Sequence, residues 1–121
     1  MKFKFAQLVG RYKLVVSNEL LAFIEHAWVE NAPLADRERV RREAQQEAHG
    51  AEIEIQADGT FISRSGEQEF YRVALSAYLG EHEQLCFEKA PGQRVCLSLL
   101  DANRVLAQQA GKPDSEFLRA V

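Results

Sequence analysis

The sequence predicts a mainly β protein: a closed antiparallel up-and-down β-barrel of about eight strands, with a two-helix insertion after the first strand. Three observations predict it. From residue 51 onward, apolar and polar residues alternate in short runs, the two-residue period of half-buried strands. Turn signals such as Asp58-Gly59, Ser65-Gly66, Pro91-Gly92 and Asp101-Ala102-Asn103 separate the runs, and short connections make consecutive strands antiparallel neighbours. Each run has one apolar face, and eight such faces are buried together when the sheet curls on itself and the last strand pairs with the first.

The first strand is expected over Leu8 to Val16, where Leu8, Tyr12, Leu14 and Val16 share a face. Ser17 and Asn18 stop it and supply a helix cap, with Glu19 in the favourable first turn. From Glu19 to Glu30 the period changes. Leu20, Phe23, Ile24, Ala27 and Trp28 recur at three and four, the apolar stripe of a helix. Pro33 opens a second helix that runs to His49 and stops at Gly50. That helix carries Arg37, Arg39, Arg41 and Arg42, offset by Asp36, Glu38, Glu43 and Glu47. Its apolar stripe of Leu34, Val40, Ala44 and Ala48 is thin, so it lies on another surface rather than forming a core. Its arginines read as a solvated face, with phosphate or an acidic partner as the alternative.

In the strand region, Ile53 and Ile55 alternate with Glu52, Glu54 and Gln56 before the Asp58-Gly59 hairpin signal. A two-residue or a four-residue turn there puts Ile62 and Arg64 on the inner face. Tyr71, Val73, Leu75 and Ala77 share the next face. Leu85 and Phe87 follow, then Val95, Leu97 and Leu99, then Val105 to Gln109, then Phe117, Arg119 and Val121.

At 121 residues the chain is expected to form one domain, residues 1–121, with the helices as a lid over about 18–49. The hydrophobic fraction of 46% and charged fraction of 27% exclude a disordered chain. A net charge of −3 argues against a nucleic-acid binder. No apolar run is long enough for a membrane span. The start, Met1-Lys2-Phe3-Lys4-Phe5, has no continuous apolar core of a signal peptide, so a cytoplasmic setting is expected. There, Cys86 and Cys96 would remain thiols. If Leu85 faces Leu97 and Phe87 faces Val95, the two cysteines are opposed at disulfide distance, whereas a two-residue Pro91-Gly92 turn would shift the register and separate them. Two cysteines and the scattered His26, His49 and His82 make no metal site. No nucleophile–base spacing is present, so no catalytic residue is assigned. The glycines sit singly at turns, so no phosphate loop and no cofactor are implied.

Leu8-Val9-Gly10-Arg11-Tyr12-Lys13-Leu14 followed by Ser17-Asn18-Glu19-Leu20 resembles the opening of intracellular fatty-acid-binding proteins and, more broadly, of lipocalins. Those begin with a Gly-x-Trp strand, and the fatty-acid-binding group then enters a helix pair that serves as a portal lid. The close match covers about a dozen residues and the layout most of the chain. The departures are Tyr12 in place of Trp, a longer and more charged second helix, and eight strands where the fatty-acid-binding group has ten. That group also has an Arg-x-Tyr pair in the last strand; Arg119 matches its Arg, and Val121 stands at the Tyr. The resemblance implies a small-ligand carrier, with fatty acid one candidate among several.

Arg119 lies between Phe117 and Val121 on the inner face, where an unpartnered charge is costly. It caps the closed end over Tyr12, or binds a ligand anion, or reaches solvent. Similar lipocalin barrels pack a late-strand arginine on the first-strand Trp, and Arg104 is the rival for that role. Arg64 anchors a ligand anion or snorkels to the rim. Tyr71, Val73, Leu75, Phe87, Val95 and Leu97 line a ligand wall or are ordinary core. Phe23, Ile24 and Trp28 face the barrel mouth or pack helix on helix. The resulting expectation is non-enzymatic binding of a small hydrophobic or amphipathic ligand, anionic if the arginines anchor it. The alternative is a filled barrel that forms a homodimer or docks a protein partner. A small α+β cone-fold enzyme comes third, because such folds open with helices and this chain opens with a strand.

Overall fold

The expected alternation becomes strand in every predicted run, and the strands join into one sheet. The structure is a computed structural model that describes residues 2–120. In chain order its elements are β1 (Phe3–Lys4), α1 (Phe5–Leu8), β2 (Gly10–Leu14), α2 (Asn18–Ile24) and α3 (Arg37–Gly50), then β3 (Ala51–Ile55), β4 (Thr60–Ser65) and β5 (Gln68–Ala74). These are followed by β6 (Glu81–His82), β7 (Leu85–Ala90), β8 (Gln93–Asp101), β9 (Arg104–Gln109) and β10 (Ser115–Arg119). Eight strands form one antiparallel sheet in the order β5-β4-β3-β2-β10-β9-β8-β7. The first and last strands of the barrel pair as expected, Tyr12 opposite Arg119 and Leu14 opposite Phe117.

The barrel is nearly closed. Backbone pairing is absent between β5 and β7, and side chains bridge that seam. Phe61 of β4 packs on Phe87 of β7 with ring centroids 5.0 Å apart, and Lys89 of β7 stands 5.7 Å from the Tyr71 ring of β5. The interior is a continuous apolar cluster that includes Tyr12, Ile53, Ile55, Phe61, Leu97 and Val105, all 3% exposed or less.

The N-terminal residues do what the sequence reading did not foresee. Leu8, expected in the first strand, instead ends the short helix α1, and the strand starts at Gly10. Phe3, Phe5 and Leu8 are buried in the barrel cluster. β1 pairs with β6, and the Phe5 amide donates to the Gly80 carbonyl at 3.0 Å, so this segment seals one end of the barrel.

The β3–β4 hairpin corrects the inner face of β4. Gln56 N–H donates to Thr60 C=O at 2.8 Å, and Gly59, with φ +94°, donates to Gln56 C=O. The loop is therefore three residues, Ala57 to Gly59, a turn closed by a left-handed glycine. An odd loop inverts the parity that even loops give. Ile55 then faces Phe61, Ile53 faces Ser63, and Ile62 and Arg64 stand opposite Glu54 and Glu52 on the outer face. Ala77, expected on the face of Tyr71, leaves the strand in a 3₁₀ turn over Ser76–Tyr78.

The two-helix insertion is shorter-stepped than its apolar stripe suggests. Ser17 caps α2 by accepting from the Leu20 amide at 3.1 Å. From Glu25 to Val29 the helix widens into a π turn, with Glu30 N–H donating to Glu25 C=O. α3 follows a 3₁₀ turn after Pro33 and runs directly into β3. Ile24, Val29, Ala44 and Ala48 form a second small core between the helices, and Leu14 touches both cores. The arginines of α3 tie the lid to itself: Arg37 donates to the Glu30 and Ala32 carbonyls, and Arg41 donates to Glu25. Among the described residues no helix is long and apolar enough to cross a membrane.

In the β7–β8 hairpin, Cys86 and Cys96 are opposed and joined by a disulfide. The turn is the two-residue Pro91-Gly92, and a bulge at Lys89 shifts the register back so that the cysteines still meet. The expected pair of thiols is thus replaced by a crosslink.

Candidate functional site

Along β4, β7, β9 and β10 the inner face changes from apolar to small or polar toward the helical end, while β2 ends there in the apolar Leu14. Phe61 gives way to Ser63, Phe87 to Lys89, Val105 and Ala107 to Gln109, and Phe117 to Ser115. The helices cross above this rim, and between rim and helices lies a chamber of about 410 Å³, widely open to solvent on one side. Its roof is Leu20, Phe23, Ile24 and Trp28, with Ala44 and Ala48 of α3. Its floor and walls include Leu14, Ser63, Tyr71, Lys89, Gln109 and Lys112. Small alanines on α3 allow close approach while leaving this space open. A second, outer groove, lined by Trp28, Val40, Glu47, Ser65 and Gln68, lies between α3 and the β4–β5 turn and shares Trp28, Ala44 and Glu47 with the chamber. Trp28 is 43% exposed and stands between the two.

The polar groups of the chamber run from Tyr71 and Lys89 at the seam to Gln109 of β9 and Lys112 beyond it. Lys89 donates to Gln109 Oε1 at 3.2 Å. Burial holds its amine below the ordinary lysine value, and the nearby Lys112 charge adds to the effect. Burial likewise raises the Tyr71 phenol, partly offset by a hydrogen bond with Ser63, its cross-strand partner. Beneath this layer the barrel is packed: Leu75, Phe87, Val95 and Leu97 are buried in the core cluster, and Val73 packs against it.

The structure therefore separates the residues singled out from sequence. Phe23, Trp28 and Tyr71 meet in the chamber. Val73, Leu75, Phe87, Val95 and Leu97 lie below it as core. Arg64 is outside the barrel, 3.6 Å from Glu52 and 3.8 Å from Glu54, because the three-residue hairpin loop reverses its strand face. Arg119 is at the sealed end, far along β10 from Ser115 and the chamber. It lies 4.8 Å from the Tyr12 ring and donates to the carbonyls of Val9, Gln7 and Ala102. Arg104, the rival for that end, pairs outside with Asp101 and Glu116. Val121 lies outside the described residues.

Sequence reasoning missed Lys89, Gln109 and Lys112. The signal for the first two was parity: Lys89 continues the inner face of Leu85 and Phe87, and Gln109 that of Val105. Lys112 belongs to a turn and carries no such pattern. Among the described residues no cluster of histidine, cysteine and carboxylate side chains is placed to hold a metal ion. No protein-family model matches the chain, and no curated protein sequence matches it.

Proposed function

We propose that this chain is a calycin-like barrel that binds a small hydrophobic or amphipathic ligand, without chemistry, in the chamber between the barrel mouth and the helix pair. The observation that carries this reading is the chamber itself. It has an apolar roof and a few convergent polar groups, the pattern of small-ligand sites. Trp28 and the outer groove of α3 form the entry path. The sequence contains one tryptophan, so ligand entry is read directly from Trp28 emission. Titration with an environment-sensitive amphipathic dye such as anilinonaphthalene sulfonate, followed by native mass spectrometry of gently purified protein, tests the reading. Saturable one-to-one uptake with a change in Trp28 emission supports it.

A second reading is favoured by the lower barrel, where Leu75, Phe87, Val95 and Leu97 are packed as core. In that reading the helix pair docks a protein partner or a second copy. No dye uptake, together with concentration-dependent dimerisation in sedimentation, would favour it over ligand binding.

A further inference from the structure

We propose that the chamber selects a compact amphipathic anion, its acidic group held jointly by Lys89 and Lys112 and its apolar part lying flat across the barrel mouth toward Trp28. This deepens the ligand-binding reading and rests on it. The first support is charge. The chamber is lined by two lysines and one carboxylate, Glu47 of α3, an excess of positive charge in a chain of net charge −3. Lys112 acts on Lys89 through its charge and through direct contact of the two side chains, and the acceptor for the Lys89 amine is the neutral Gln109. Two cations brought together in a partly desolvated site repel each other, and an anion accepting from both removes that cost.

The second support is shape. An extended chain running down the barrel axis is blocked directly below the rim, where Phe61 packs on both Tyr71 and Phe87. The free volume spreads sideways instead, from Lys89 and Lys112 on the β7–β9 side to Phe23 and Trp28 under the lid. A short-chain or aryl carboxylate or sulfonate fits that shape. A long alkyl tail has to leave through the outer groove of α3 into water, where further methylenes gain nothing.

The test uses the whole chain and octanoate, octanol, octylamine, dodecanoate and hexadecanoate, each below its aggregation threshold, with affinities from Trp28 emission and calorimetry. Octanoate is expected to bind about ten-fold more tightly than octanol, and octylamine most weakly. Lys89→Met with Lys112→Met, which keeps most of each apolar stem, is expected to erase the octanoate preference and leave octanol within two-fold. Lys89→Gln with Lys112→Gln provides the same comparison if the methionine pair misfolds. From dodecanoate to hexadecanoate the gain is expected to stay below two-fold per pair of methylenes, against the roughly 15-fold that full burial brings. Octanol binding as tightly as octanoate, or affinity climbing steeply to hexadecanoate, overturns this inference and leaves the ligand-binding reading standing. Absence of binding by all five overturns both.

Discussion

The Arg119 guanidinium lies 4.8 Å from the Tyr12 ring centroid and joins the last strand of the barrel to the first. Three backbone carbonyls, of Gln7, Val9 and Ala102, accept from it, so one side chain gathers the N-terminal segment, the β8–β9 turn and β2. Tyr12 completes the arrangement by donating to the Leu8 carbonyl at 2.7 Å. Arg119→Ala removes the ring contact and all three hydrogen bonds, and is expected to cost about 2–3 kcal/mol. Arg119→Lys is expected to recover less than half, because a point charge does not span three carbonyls. Urea unfolding measures both, and a loss below about 0.5 kcal/mol for the alanine variant would show that Arg119 is not a structural clasp.

Gly10 is coupled to that clasp. Its φ is +149°, and a Cβ placed there would collide with Arg119 Nη1. Gly10→Ala is therefore expected to destabilise by roughly 1–3 kcal/mol through backbone strain and displacement of the guanidinium. In the Arg119→Ala background only the backbone part remains, so the two losses should add to less than their sum. A double-mutant cycle reads the difference, and strict additivity would mean that the glycine is required by its own conformation alone.

The Cys86–Cys96 disulfide closes a separation of 10 residues across a hairpin that is already hydrogen-bonded. Loop-closure entropy for so short a span gives roughly 2–3 kcal/mol, lost on reduction. Dithiothreitol, or Cys86→Ser with Cys96→Ser, is expected to lower the melting temperature while far-ultraviolet circular dichroism keeps its β signature. The bond sits at odds with the reducing setting expected from the sequence. Counting thiols in protein alkylated at the moment of cell lysis decides which state the cell maintains.

The periodic half of the molecule was legible in the sequence and the aperiodic half was not. Tyr12, Ile53, Leu97 and Phe117 announce their inner face by alternation, and short turns fix neighbours, so strand order followed. The inner face of β4 failed on one residue of loop length, since Asp58-Gly59 suits hairpin loops of several lengths and each length sets the parity of Phe61 and Ile62. The sealing segment of Phe3, Phe5 and Leu8 escaped because it is too short to show a period, and its partner β6 is too short as well. The chamber was half visible. Phe23 and Trp28 sit on a helical stripe and Lys89 continues the alternation of Leu85 and Phe87, but Lys112 comes from a turn. Their proximity is a property of barrel closure, which no local pattern encodes.

The lid is fastened by a contact that acid should release. Arg41 of α3 donates to both carboxylate oxygens of Glu25, at the start of the π turn that presents Trp28. The Arg41 hydrogen bond holds the Glu25 carboxyl below its ordinary value of 4.5, with the charges of Arg41 and His26 adding to it. A carboxylate lowered by folding stabilises the folded state above its unfolded value, and the contribution disappears as pH falls through the lower folded value. The lid is therefore expected to loosen as pH drops below about 4.5; the barrel also loses the contributions of its lowered carboxyls Asp58, Glu69 and Asp101 there, but these lie outside its apolar cluster, which persists. Trp28 emission should shift in that window before the barrel signal in circular dichroism changes. Glu25→Gln should already show the loosened emission and a few-fold faster amide exchange in α3 at neutral pH, with little further change on acidification. Coincident acid transitions of Trp28 and the barrel in both proteins would show that the lid has no separate fastening.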